Sequence, residues 1–279
     1  MIANAASTDI QAVPTADAQT DARVAAAARA TRRRWAVIVL VHVAVVLLWE
    51  LLVKAAKIPA FILPAPSDVL ATLAAPTNAW VSNTLVTAAE ILGGYLLAVA
   101  LGVSLALLFS WSSLLMLLVF PLLVTLNMIP KVALGPIVVV WMSYGIFTNM
   151  LITFSLCFFP ILLTTARGLR EVEPDLLDLV HSLKGSRWQV FRYIQLPGSL
   201  PYIFSGMKVG AILAVAGAVV GEFIASERGL AYLMIQVQSS LDTAAMFMAV
   251  FLLTLLGLTL YLIVLGLEHR FVPRDARKG

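Results

Sequence analysis

The sequence predicts an all-α membrane protein with about six transmembrane helices. Three observations carry that prediction: an apolar composition, long uncharged runs at intervals along the chain, and basic residues gathered into three clusters. Of 279 residues, 61% are hydrophobic and 12% charged, against roughly 45–50% and about 25% in soluble domains. A soluble chain has no place for that much apolar surface, whereas a bilayer does. The net charge of +4 says less than its distribution. The single cysteine, Cys157, lies inside an apolar run, so the chain holds no disulfide framework, and this thiol reads as a small buried hydrophobe.

In chain order, residues 1–34 are assigned to a disordered tail. The first 30 are rich in Ala, Thr, Asp and Gln and lack long apolar side chains at regular spacing. Arg32, Arg33 and Arg34 before an apolar stretch imitate a signal peptide. The run from Trp35 to Val53 is longer than a signal core, however, and no small-x-small cleavage site follows it, so it reads as a retained span. A span needs about 20 mainly apolar residues. Candidates lie at 35–53, 84–109, 113–142, 146–166, 201–222 and 244–267. The third contains Pro121, Pro130, Gly135 and Pro136. Proline removes a backbone donor and kinks a helix, so this segment is either one bent span or two shorter membrane pieces.

Charge orients the spans. Lys and Arg collect at Arg23 to Arg34, Arg167 to Arg192 and Arg270 to Lys278, while the opposite segments carry only Lys54, Lys57 and Arg228. The positive-inside rule puts both termini and the 167–200 loop in the cytoplasm and segments 54–83 and 223–243 outside. Basic residues that snorkel at helix ends contribute part of the same bias. The membrane domain is then 35–270, with a cytoplasmic loop at 171–200 and a cytoplasmic C-terminal tail at 271–279.

The 171–200 loop carries the densest local signals. Glu173 suits a helix cap and Pro174 the first helical position, where no amide donor is needed. Leu176, Leu179, Val180 and Leu183 recur on one helical face. Lys184-Gly185 ends that helix, with Gly185 expected in the left-handed cap. Ser186 opens a second helix, and Gln189 completes a capping-box pattern. Leu196-Pro197 is expected to stop it, and Pro201 to open the next span. The apolar stripe fits a groove on another protein. It equally suits packing under its own bundle or lying in the headgroup layer.

The stretch from Asp178 to Pro197 resembles the EAA loop of bacterial ABC importer permeases. That family's pattern is E-A-A, three residues, G, nine residues, then I-x-L-P. Ile194-Gln195-Leu196-Pro197 matches its end, Asp178-Leu179-Val180 stands where E-A-A would be, and Lys184 stands at the family's glycine with Gly185 one position later. Ser182, Leu183, Ser186-Arg187-Trp188-Gln189 and Phe191-Arg192 also read like family members. Further segments are similar to one branch of the family: Pro59 to Leu70, Ile129 to Pro136, Trp141, Gly145, Phe159 to Leu162, Gly221-Glu222-Phe223 and Gly229-Leu230-Ala231-Tyr232. That branch includes permeases for nitrate, taurine and other sulfonates, and pyrimidine precursors of thiamine.

The resemblance implies the type I permease fold and a multi-pass protein of the bacterial inner membrane. It also implies a coupling loop that inserts into a cleft on the ATP-binding subunit. Asp178, Leu179, Val180, Ser182, Leu183, Lys184, Gly185 and Ser186 are its residues here. The implied partners are a dimer of ATP-binding cassette subunits, a second permease subunit (a homodimer being favoured), an extracytoplasmic solute-binding protein and membrane lipid, with no nucleic acid. The chain has no G-x-x-x-x-G-K-[ST] phosphate loop. No cofactor is therefore expected on it, and ATP and Mg would belong to the partner ATPase. It is expected to be a non-catalytic subunit. The three histidines, His42, His181 and His269, are scattered, so no metal site is expected.

Ionisable residues inside apolar spans are costly and usually face a cavity or a partner. Glu90, Lys131 and Glu222 are such residues, and with Asn127 they are the translocation-path candidates. Lys131 follows Pro130 within the broken segment, where a cation near freed backbone groups suits an anionic ligand. The other reading is an ion pair of Lys131 with Glu90 or Glu222. Lys208 is expected to snorkel at the inner boundary, and Glu222 to meet solvent or accept a helix bond at the outer one. The function implied is import of a small polar or anionic solute: a sulfonate, taurine, nitrate or a pyrimidine precursor. The alternative is a secondary transporter or channel not driven by ATP. It would not need the capped loop, and would often show a repeat between halves. An intramembrane enzyme would need polar groups converging at one depth, which the sequence does not display.

Overall fold

Apolar segments form helices in a membrane because each backbone donor and acceptor must be satisfied within the segment. In the computed structural model, which describes residues 16–171 and 174–272, the regular structure is helical throughout. The chain divides into two units, 1–58 and 59–279. The first consists of α1 (Ala16–Ala55). Residues 16–34 are thus helical and not part of a disordered tail; residues 1–15 lie outside the described residues. The reason is compositional: alanine, the best helix former, dominates 16–30, and neither Gly nor Pro occurs between 16 and 55. His42 bonds the Ile38 carbonyl of its own helix at 2.7 Å.

The second unit begins with α2 (Pro66–Ala71), followed by α3 (Trp80–Trp111), α4 (Ser113–Asn127), α5 (Lys131–Met142) and α6 (Ile146–Gly168). After α6 come α7 (Pro174–Ser182), α8 (Arg187–Val190), a π-helical turn over 191–195, α9 (Leu196–Ala225), α10 (Leu230–Gln238) and α11 (Thr243–Phe271). Among the described residues, five helical stretches are long and apolar enough to cross a membrane, and the α4–α5 pair can supply a sixth span. That pair is bent by 97°. At 1.5 Å per residue α4 is about 22 Å long and α5 about 18 Å, so neither alone crosses a hydrocarbon core of about 30 Å. Pro130, extended at φ −60° and ψ 112°, sits at the break.

Leu196-Pro197 does not stop a helix as expected. α8 continues through the π turn into α9 without leaving helical geometry. Pro197 lacks an amide, and the wider turn just before it, in which the Leu196 amide donates to the Phe191 carbonyl, carries the helix past it. Of the C-terminal tail expected at 271–279, Phe271 closes α11 and residues 273–279 lie outside the described residues.

α6 is the central helix, packed between α3 and α9. Small residues allow that closeness. Gly94, Ala98, Gly102 and Ala106 recur every fourth residue along α3, and all four are buried. On α9 the matching stripe is Gly206, Gly210, Ala214, Gly217, Gly221 and Ala225. A Cβ on Gly217 would lie 2.6 Å from the Thr153 Cα, and one on Gly94 would lie 2.6 Å from the Met150 carbonyl oxygen. Backbone therefore meets backbone at both seams. Cys157 is fully buried there, its Sγ 3.3 Å from the Gly210 carbonyl.

Lys208 does not snorkel. Its ammonium bonds both carboxylate oxygens of Glu268, at 2.9 and 2.8 Å, and ties α9 to α11. A charge in a helix seam is cheaper to pair than to leave facing hydrocarbon.

Candidate functional site

Three places gather the residues singled out in the sequence: the 171–200 loop, the α4–α5 break, and a carboxyl cluster between α3, α6 and α9.

In the loop, α7 ends in a Schellman turn. The Gly185 amide donates to the Val180 carbonyl at 2.8 Å, and the Leu183 amide to the Leu179 carbonyl at 3.1 Å. The left-handed residue is Lys184, with φ +56°, and not Gly185. Gly185 is needed for a different reason: a Cβ there would collide with Cγ1 of Val180. Ser186 and Gln189 form the reciprocal capping box, Ser186 N–H donating to Gln189 Oε1 at 2.7 Å and Gln189 N–H to Ser186 Oγ at 3.3 Å. The cap expected at Glu173 lies outside the described residues.

Leu176, Leu179 and Leu183 are 42%, 56% and 74% exposed, and Val180 is half-buried. Asp178, Ser182 and Ser186 are exposed as well. The base of the loop is held instead by aromatics. Trp188 and Phe191 lie against Trp111 at the end of α3, with ring centroids 5.8 and 5.3 Å from it. The loop is thus anchored through one helix and presents the leucines of the other.

At the break, Lys131 reaches back to the end of α4. Its ammonium donates to the backbone carbonyl of Asn127 and, at 2.6 Å, to the Asn127 side-chain oxygen. It also lies 5.5 Å over the Phe159 ring. The last carbonyls of a helix carry partial negative charge and attract a cation. The expected ion pair with Glu90 or Glu222 does not form: Lys131 closes the turn between two half-helices.

The carboxyls sit elsewhere, with Glu90 0% and Glu222 1% exposed. Glu222 Oε1 accepts from the Thr87 hydroxyl at 2.5 Å, and Oε2 from the Ala231 and Tyr232 amides at 2.6 and 3.1 Å. Those amides belong to the first turn of α10, so Glu222 caps that helix from α9. Gly229, at φ +120°, has no room for a Cβ beside this carboxyl. Glu90 Oε1 accepts from the Asn149 side-chain amide at 2.7 Å. Sequence reading missed Asn83, Thr87 and Asn149. Asn83 Oδ1 accepts the Gly229 amide at 3.0 Å, and Thr87 Oγ1 accepts the Leu230 amide at 2.9 Å. The signal was available, because Asn83, Thr87 and Glu90 lie at i, i+4 and i+7 on one face of α3.

The sequence profile described as "binding-protein-dependent transport system inner membrane component" matches residues 98–274. The chain is 32% identical over 226 residues to a probable ABC transporter permease protein of Haemophilus influenzae, covering 81% of this chain and 92% of that protein. It is 31% identical over 227 residues to the formylaminopyrimidine transport permease protein ThiX of Halalkalibacterium halodurans, covering 81% and 90%. It is 33% identical over 228 residues to the riboflavin transport system permease protein RibX of Chloroflexus aurantiacus, covering 81% and 85%. With its apolar helices and bent pair, the chain belongs to the family of binding-protein-dependent transport system inner membrane components, the multi-pass permeases of ABC importers.

Proposed function

We propose that this chain couples ATP hydrolysis on a separate subunit to solute import, through the 171–200 loop. The observation that carries this reading is α7: a short helix fixed by a Schellman turn and a following capping box, with Leu176, Leu179 and Leu183 turned to solvent. Apolar side chains on a rigid projection suit a groove in a partner. The partner is an ATP-binding cassette subunit that holds ATP and Mg. Two copies of it work with two permease chains and an extracytoplasmic solute-binding protein. Both termini and the loop face the cytoplasm, following the Lys/Arg bias. The permease itself performs no bond chemistry.

Leu179→Asp tests the coupling. The side chain is exposed, so the variant should change stability by no more than about 0.5 kcal/mol and reach the membrane at the usual level. Co-purification of the ATPase and ATP-driven uptake in vesicles should both be lost. Retention of both would remove α7 from the interface.

The solute is small and polar or anionic, from the sulfonate, taurine, nitrate or pyrimidine-precursor group; the names of the two relatives above support its heterocyclic end. Binding measurements on the cognate solute-binding protein would choose among these. Lys131 and Asn127 are assigned to the path, because the α4–α5 break leaves them half-exposed beside freed backbone groups. Lys131→Met should lower uptake severalfold at unchanged protein level. Loss of the protein from the membrane would make Lys131 a structural latch only, and unchanged uptake would take it off the path. Glu90 and Glu222 are assigned to packing, since both are buried within the helix seams.

A further inference from the structure

The Glu90 and Glu222 carboxyls are neighbours. Thr87, one turn from Glu90 on α3, donates to Glu222, and Asn149, bonded to Glu90, packs against Gly221, the residue before Glu222. The hydrogen bonds around them are unequal. Glu222 receives three donors, one hydroxyl and two amides. Glu90 receives one, on Oε1, and its Oε2 is buried with no bond that a fully ionised pair could supply.

Two ionised carboxylates sharing one cluster in a membrane-buried seam would repel strongly. A cation could relieve this, but the lysines within the apolar segments are engaged elsewhere, Lys131 with Asn127 and Lys208 with Glu268, and Arg228, next to Gly229, is exposed. None of the hydrogen bonds to either carboxyl comes from a Lys, Arg or His among the described residues. The groups bonded to the pair and to the corner beside it are neutral and polar: Asn83 and Thr87 from α3, Asn149 from α6, and backbone amides from α10. Among the described residues no third His, Cys, Asp or Glu joins the pair to hold a metal ion, and a proton needs no such set.

We infer that the buried Glu90–Glu222 pair holds one proton, carried on Glu90 Oε2 and donated to the Glu222 carboxylate. The assignment completes the bonding of both residues. Glu222 stays an acceptor on both oxygens, as a cap of α10 must be. Glu90 becomes the donor that links α3 to α9, and its lone oxygen gains a partner. The pair is then a neutral-acid latch across the helix seam, distinct from the solute path and independent of the coupling loop.

Infrared spectroscopy of the purified permease in an ester-free detergent at neutral pH tests this. A protonated carboxyl gives a C=O stretch well separated from that of a carboxylate. The wild-type protein should show this band, and Glu90→Gln should lose it, while Glu227→Gln, at an exposed position, should keep it. Glutamine has the shape of the protonated acid and can donate the same bond, so Glu90→Gln should also fold and stay monodisperse. Absence of the band in the wild type, or its survival in Glu90→Gln, would overturn the inference. Failure of Glu90→Gln to fold would do so as well, because a neutral donor would then not be what the site needs.

Discussion

At the α9–α10 corner both oxygens of Glu222 are bonded within the chain, whereas on α7 three leucines face solvent although the helix under them is capped with equal care. Both regions are built from the same devices: a helix end, a nearby glycine and a polar side chain taking up loose amides. They differ in where the resulting surface goes. At the corner it is consumed by α3 and α9, so the sequence there serves the bundle. On α7 it is left over, and in the proposed coupling it serves a partner outside the bundle. A substitution at the corner should therefore appear first as lost protein, and one on the loop as lost coupling.

The corner carries the largest expected effect. Glu222→Ala strands the buried Ala231 amide and the half-buried Tyr232 amide, at roughly 1–3 kcal/mol for each unsatisfied donor. The total, about 2–6 kcal/mol by the same arithmetic, is a large share of a marginal stability. Thermal denaturation in detergent and the amount of protein in the membrane would both record it. A Glu222→Ala protein of wild-type stability that fails only in transport would reverse the contrast and return Glu222 to the solute path.

Gly185→Val comes next and should separate the two regions. The new side chain meets Val180 and opens the Schellman turn, while the spans are untouched. The protein should insert at its normal level, with uptake and ATPase coupling sharply reduced. Normal coupling in this variant would show that the turn tolerates opening, and the loop would lose its claim to need rigidity.

The helices, the break at Pro130 and the capped loop are legible in sequence because each depends on neighbours a few residues away. Apolar runs give the spans, prolines the break, and Ser186 with Gln189 the cap. The pairings between helices are not local. At the corner Thr87 and Glu222 are 135 residues apart, and between α9 and α11 Lys208 and Glu268 are 60 apart. Which faces meet is decided by small residues on α3 and α9, and that four-residue repeat was in the sequence as the one available guide. The ion-pair reading of Lys131 fails for a related reason. A cation in an apolar run suggests a distant carboxylate, but the break placed the end of α4 within its reach, and a nearby helix terminus satisfied it first. The loop's role is readable only by resemblance, since exposure of three leucines names no partner by itself.

The smallest expected effect concerns a shift of one residue at the end of α7. Helix ends are uncertain by a residue or two when read from sequence, and Gly185 looked like the left-handed position because it is glycine. The structure puts Lys184 there, at φ +56°, in the place where the ABC permease pattern has its glycine. A side chain in that conformation is disfavoured by its Cβ, yet glycine also gives the unfolded chain more freedom to lose. The balance favours Lys184→Gly by about 0.5–1 kcal/mol. Hydrogen exchange at the amides of α7 should then slow by roughly two- to fivefold, with exchange at the α9–α10 corner unchanged. If exchange in α7 quickens instead, the lysine side chain is holding the turn through contacts of its own. Such a result would make the loop resemble the corner, with its order secured from within the chain, and the contrast between the two regions would have to rest on the leucines alone.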